Sequence, residues 1–264
     1  MSLSGYWADL NTTQFQDLPE DLVAVLPIGA IEQHGPHLPL SVDRDLVEAV
    51  IERTLDRIMP DQNVLVLPTL VVTKSDEHDH FPGTLSLSVD TLLSAIRDIG
   101  SSVSSTGVSR LVLFNGHGGN NAVLDIAARD LRIRHEMIAV ACSWFGFTKV
   151  PAEMDENSIT YDLHAGELET SAMLAVRPDL VDMSAAKYFE PAMRDWENSF
   201  KHIGLTGQPA KPGWIIEDLN ENGACGNAAK ATAEKGEKLL ESAAEGFAEF
   251  LIEFANFDHR RTRR

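Results

Sequence analysis

Glu32 and His34 follow directly on an apolar run, and together they could hold a catalytic metal ion. The run is Leu22-Val23-Ala24-Val25-Leu26-Pro27-Ile28, and the turn is Gly29-Ala30-Ile31-Glu32-Gln33-His34-Gly35. Asp43 comes nine residues after His34. Oxygen and nitrogen donors without a thiolate suit Zn, Mn or Fe in a catalytic role. The alternative is two polar residues on a surface loop.

Three other clusters carry comparable chemistry. Asn115-Gly116-His117-Gly118-Gly119-Asn120 closes a second apolar run. Its glycines leave room for a ligand near the backbone, and the next helix offers free N–H groups. No GxGxxG pattern or Walker lysine is present, so a phosphate loop is excluded. His117 becomes a candidate metal ligand, and Asn115, Gly118 and Gly119 candidate substrate contacts. His164-Ala165-Gly166-Glu167-Leu168-Glu169-Thr170-Ser171 opens an apolar helix. On a helix, His164 and Glu167 share a face while Glu169 points elsewhere, so not all three can aim at one metal. Acidic residues favoured by the helix dipole are the competing explanation. Ser75-Asp76-Glu77-His78-Asp79-His80 precedes a turn. Asp76 and Asp79 are expected in solvent. Glu77 and His78 are candidate catalytic groups on a pocket rim, and Ser75 a candidate substrate contact.

These clusters need a scaffold that brings them to one edge. Strands are expected at 22–28, 63–67, 110–114 and 137–142, and helices at 44–59, 90–104, 120–134, 165–176 and 227–256. Asp43, Asp90 and Asn120 or Asn121 are expected N-caps. Strands alternating with helices imply an α/β fold with a mostly parallel sheet. In such sheets ligands bind at the carboxyl ends of the strands, where Glu32, His34 and His117 fall. The segment 204–213 reads as a long loop inside a single domain of residues 1–264, and long loops are often functional.

Composition narrows the partners. There are 40 acidic and 22 basic residues, a net charge of −18. Such a surface repels phosphate backbones, so nucleic acid is not an expected partner. The basic tail 259–264 is too short to change that. Cys142 and Cys225 give neither a disulfide framework nor a metal knuckle and read as small hydrophobes. No apolar window reaches the length of a membrane span and no signal segment opens the chain, so the cytoplasm is the expected compartment.

Gly29-Ala30-Ile31-Glu32-Gln33-His34-Gly35, Asp43, Phe81-Pro82-Gly83-Thr84, Asn115-Gly116-His117 and His164-Ala165-Gly166-Glu167-Leu168-Glu169-Thr170 together resemble the creatininase (creatinine amidohydrolase) family. Ala231-Thr232-Ala233-Glu234-Lys235-Gly236 resembles that family's last helix, so the likeness runs over about residues 20–240. It implies a three-layer α/β/α hydrolase with two divalent metal ions per chain, often assembled as a hexamer. Members cleave C–N bonds of cyclic amides and formamides. Others process the peptide precursor of a redox cofactor, or cleave carbocyclic diketones. By resemblance, Glu32 and His117 bind one ion, His34 the other, Asp43 bridges them, and His164 shuttles a proton beside a metal-bridging water.

The chain departs from creatinine hydrolases in two places. There, tyrosine and a metal-binding glutamate follow the strand-end histidine; here these positions are Gly118 and Gly119. Glu169 is the expected replacement ligand, with Glu167 its rival. The tryptophans that enclose creatinine are matched out of step by Ser143-Trp144-Phe145 and Thr160-Tyr161. The expectation is therefore a dinuclear metal amidohydrolase acting on a small cyclic amide or formamide other than creatinine. A peptidase of the cofactor-maturation type, or a carbon–carbon hydrolase of a cyclic polyol ketone, is the alternative.

Overall fold

The structure is a computed structural model that describes residues 3–59 and 61–259. Its centre is a five-stranded sheet: β1 (Ser4–Tyr6), β2 (Val23–Ile28), β3 (Val64–Val66), β4 (Arg110–Asn115) and β5 (Ile138–Ser143). The order is β1-β3-β2-β4-β5 and every pairing is parallel. A small antiparallel pair, β6 (Tyr188–Phe189) and β7 (Gly226–Asn227), lies apart from it.

Side-chain alternation decides the layers. Val23, Val25, Val112 and Phe114 point to one face, and Leu22, Ala24, Leu26, Leu111 and Leu113 to the other. Both sets are buried, which explains why the strands read as continuous apolar runs. Helices α1 (Val42–Leu55), α5 (Glu167–Val176) and α8 (Ala233–Asn256) cover the first face. Phe247 of α8 stacks on Phe114 with ring centroids 3.9 Å apart. Helices α2 (Val89–Ser105) and α3 (Asn121–His135) cover the second face. The result is the expected three-layer α/β/α arrangement. Among the described residues no helix is long and apolar enough to cross a membrane.

The expected elements shift at their ends. α1 starts at Val42 with Ser41 in the cap position, so Asp43 is a first-turn residue and not an N-cap. The cap of α2 is Ser88, whose hydroxyl accepts from the Thr91 N–H, and Asp90 lies inside the helix. Asn120 occupies the cap position of α3, but its side chain turns to Thr73 and Asn115. The helix expected over 227–256 begins only at Ala233, where Thr232 caps the Lys235 N–H. Short pieces carried too little periodicity to foresee: β1, β6, α4 (Glu156–Thr160), α6 (Met193–Ser199) and α7 (Ile216–Leu219). Of the basic tail, residues 260–264 lie outside the described residues. Cys225 is buried, Cys142 half-buried, and burial pushes both thiols up to about 12.

One correction affects the site. The expected helix over 165–176 starts two residues later, because Ala165 adopts a left-handed conformation at φ 56°. His164 precedes that turn and pairs with Cys225 as an antiparallel bridge. It therefore shares no helix face with Glu167.

Candidate metal centre

β2 and β4 are neighbours, but the chain leaves β2 toward β3 and β4 toward β5, on opposite sides. Their carboxyl ends form the crevice that such a reversal creates. Glu32 and His34 follow β2, and His117 follows β4. The first turn of α1 enters the same crevice because a glycine follows each strand directly. A Cβ at Gly29 would sit 2.8 Å from the Arg44 Cα, and one at Gly116 would sit 2.6 Å from the Asp43 carbonyl oxygen. Any side chain there would push Asp43 out of the crevice.

Asp43 lies between the two histidines. Its Oδ1 is 3.6 Å from His34 Nε2 and its Oδ2 is 3.6 Å from His117 Nδ1. Around the first oxygen gather His34 and Glu169, whose Oε2 is 3.9 Å from His34 Nε2. Around the second gather His117 and Glu32, with Glu32 Oε1 3.2 Å from His117 Nδ1. Donor atoms of Glu32, Asp43 and His117 lie within 4.8 Å of one another, as do those of His34, Asp43 and Glu169. A third grouping, Glu32, His34 and His164, draws on both sets.

Each imidazole is held by a backbone carbonyl. His34 Nδ1–H donates to the Glu32 carbonyl at 3.1 Å, and His117 Nε2–H to that of Lys74 at 2.9 Å. His164 Nε2–H donates to the Gln33 carbonyl at 2.8 Å. In the neutral ring the remaining nitrogen of each carries a lone pair facing the carboxylates. Such outer hydrogen bonds fix the tautomer and orientation of metal-binding histidines.

The residues fit a pair of divalent cations. Both Glu32 carboxylate oxygens, Asp43 Oδ2 and His34 Nε2 are buried without a hydrogen-bond partner. Unpartnered buried charge is costly, by several kcal/mol per ion. Burial pushes the Asp43 and Glu169 carboxyls up, Glu169 to about 7, and neighbouring carboxylates add to this. Burial would also lower the His34 imidazole, but Asp43, Glu169 and Glu32 outweigh it and raise it to about 9. Three buried carboxylates crowded around the same imidazoles, which they hold charged, are an environment where divalent cations can replace those protons.

Glu167 and Glu169 separate cleanly. Glu167 is buried and bound to Lys235 Nζ at 2.7 Å, away from the carboxylate cluster. Glu169 faces His34 and also accepts the Ala165 N–H at 2.6 Å. Glu169→Gln keeps that hydrogen bond and removes the charge. It is expected to leave about one metal ion per chain, whereas Glu167→Gln leaves two. Metal analysis of the two purified variants checks this, and loss confined to Glu167→Gln reverses the assignment.

The other expected site residues are placed as follows. His78 Nε2 is 3.5 Å from Glu32 Oε1, and Glu77 Oε1 is 3.5 Å from His117 Nε2. Gly118 and Gly119 line a cleft of about 210 Å³ over the cluster, as do Glu77, His78 and His164. Ser75 and Asn115 do not line it. Ser75 Oγ lies 3.4 Å from His117 Nε2, and Asn115 holds the His117 backbone through both its N–H and its carbonyl.

Sequence reasoning missed three contributors. The Gln33 amide donates to His78 Nδ1 and to the Gly223 carbonyl, both at 2.8 Å, and so ties three segments together. Asp162 accepts the Glu167 N–H at 2.5 Å and fixes the start of α5. Trp214, from the far side of the long loop, closes the cleft with Phe145, Leu163 and Leu168. Gln33 was visible inside a quoted motif. The other two depend on contacts that no local pattern encodes.

A family model described as creatininase, creatinine amidohydrolase, matches residues 8–251. The creatinine amidohydrolase of Pseudomonas putida is 36% identical over 249 residues, covering 88% of this chain and 90% of that one. The mycofactocin precursor peptide peptidase of Mycolicibacterium smegmatis is 30% identical over 237 residues, covering 86% and 83%. A solved structure of manganese creatininase superposes with a TM-score of 0.74 at 31% identity, covering 96% of this chain and 99% of that one. The chain therefore belongs to the creatininase family and is an enzyme, a metal-dependent hydrolase of carbon–nitrogen bonds.

Proposed function

We propose that the chain is a dinuclear amidohydrolase that opens a C–N bond of a small cyclic amide or a formamide. The observation that carries this is Asp43, whose two oxygens each face a different histidine–carboxylate set. Glu32, Asp43 and His117 would hold one divalent ion, Zn, Mn or Fe, and His34, Asp43 and Glu169 the other. When bound, two such ions lower the pKa of water to near neutral and polarise a carbonyl.

The protein's own part is proton handling and orientation. His164 lines the cleft with Nδ1 free and 3.7 Å from Glu32 Oε1. Burial, with His34 and His78 close by, holds this imidazole well below its usual range. At rest it is neutral. It takes the proton that the attacking water gives up and returns it to the leaving nitrogen. His78 is also kept low by burial, and its Nε2–H points at Glu32.

The cleft favours something other than creatinine. At Gly118 a side chain would meet nothing within 4 Å, so the cleft is open at that position. Trp144 is buried, stacked on Phe145, and Tyr161 packs on Arg194. Neither encloses a small ring. We expect kcat/KM for creatinine at least an order of magnitude below that for a formamide or a larger cyclic amide. A side-by-side comparison in which creatinine ranks first would overturn this. The same comparison tests a second reading, a peptidase of the cofactor-maturation type, which the 30%-identical mycobacterial relative favours. It requires a peptide to outrank every amide. A homo-oligomer up to a hexamer, working on a small molecule in the cytoplasm, belongs to the same proposal.

A further inference from the structure

Residues 74–77 wrap the outer nitrogen of His117. The Lys74 carbonyl is 2.9 Å from Nε2, Ser75 Oγ 3.4 Å and Glu77 Oε1 3.5 Å. Glu77 is itself anchored, its Oε2 bonded to Lys74 Nζ at 2.6 Å, and its side chain is only 10% exposed. Its donor atoms are not among those gathered around Asp43.

The space Glu77 uses exists because residue 119 is glycine. A Cβ there would overlap both Glu77 Oε1 and His117 Nε2, while one at Gly118 would meet nothing. Two adjacent glycines thus do different things. Gly118 opens the cleft, and Gly119 makes room for a carboxylate against a histidine.

We infer that Glu77 is a positioning residue for His117, admitted by Gly119 and held by Lys74. The Lys74 carbonyl takes the Nε2–H and fixes the tautomer, and the Glu77 carboxylate beside that N–H makes the opposite nitrogen a better donor. Here that nitrogen is Nδ1, which faces Glu32 and Asp43. Glu77 therefore tunes one ion of the pair and leaves the other, held by His34 and Glu169, untouched. The inference rests on the two-metal reading of the centre.

The test is titration of metal-stripped protein with Mn²⁺ or Zn²⁺, followed calorimetrically, together with the Tm of the stripped protein. Wild type should show two binding events. Glu77→Gln should weaken one of them roughly 10–100-fold, keep the other, and leave the stripped Tm unchanged. Lys74→Met, which frees Glu77 without removing it, should weaken the same event. Gly119→Ala should do so too, whereas Gly118→Ala should keep both affinities. Wild-type affinities in Glu77→Gln would overturn the inference. So would equal weakening of both events or a lowered stripped Tm, which mark a merely structural residue. If wild type itself takes up no ion, the two-metal reading fails first, and that outcome is distinct from the others.

Discussion

His164→Asn should keep its full metal content and lose roughly 10²–10⁴-fold in kcat, the range of a general acid–base group. That loss equals about 3–5 kcal/mol of transition-state stabilisation. Neither donor set around Asp43 uses His164, so both ions should remain. Asparagine is shorter, its amide ending near the level of the ring's Nδ1, so it gives up the 2.8 Å bond from Nε2 to the Gln33 carbonyl, and metal content is measured beside kcat to control for that loss. What it cannot do is carry a proton back and forth. An unchanged kcat at saturating substrate would make His164 structural. Loss of an ion would instead assign His164 as a ligand, in the grouping with Glu32 and His34.

Asp43→Ala should lose both ions and bring activity down to the uncatalysed background. A bridge serves two sites, so its removal strips each of one of three protein ligands, the usual complement of a catalytic zinc site. The thermal signature should separate this from general damage. An ion present at a hundred times its Kd stabilises the fold by about 2.7 kcal/mol, roughly 5–10 °C in Tm for a chain of this size. The native protein should show that increment and Asp43→Ala should not. The metal-free variant should unfold no earlier than metal-free wild type, since it removes one carboxylate from a crowded buried cluster. Two ions retained in the variant would contradict the bridge.

Strands β2, β3 and β4 were legible because each is buried on both faces and so reads as an unbroken apolar run. The donors at their ends were legible because Glu32, His34 and His117 fall directly after those runs. The choice between Glu167 and Glu169 was not. It hangs on the left-handed Ala165, which lifts His164 out of the helix and breaks the face argument. It also hangs on Lys235, 68 residues away, which takes Glu167 out of contention. Asp43 was read as a bridging ligand from resemblance and was misplaced as a cap. Its position depends on Gly29 and Gly116 letting α1 approach, a tertiary fact with no local pattern. Glu77 was singled out for its place in a dense titratable cluster, yet its partner Gly119 lies on another strand end. Sequence periodicity reports which side chains face the core. It does not report which loops meet above the sheet.

Counting metal in the native protein tests the two-ion centre on Asp43 most directly. Protein purified without chelator should carry close to two divalent ions per chain, and anomalous scattering should place them about 3.5–4 Å apart. One ion per chain, or none, in protein equilibrated with excess Mn²⁺ and Zn²⁺ would contradict it.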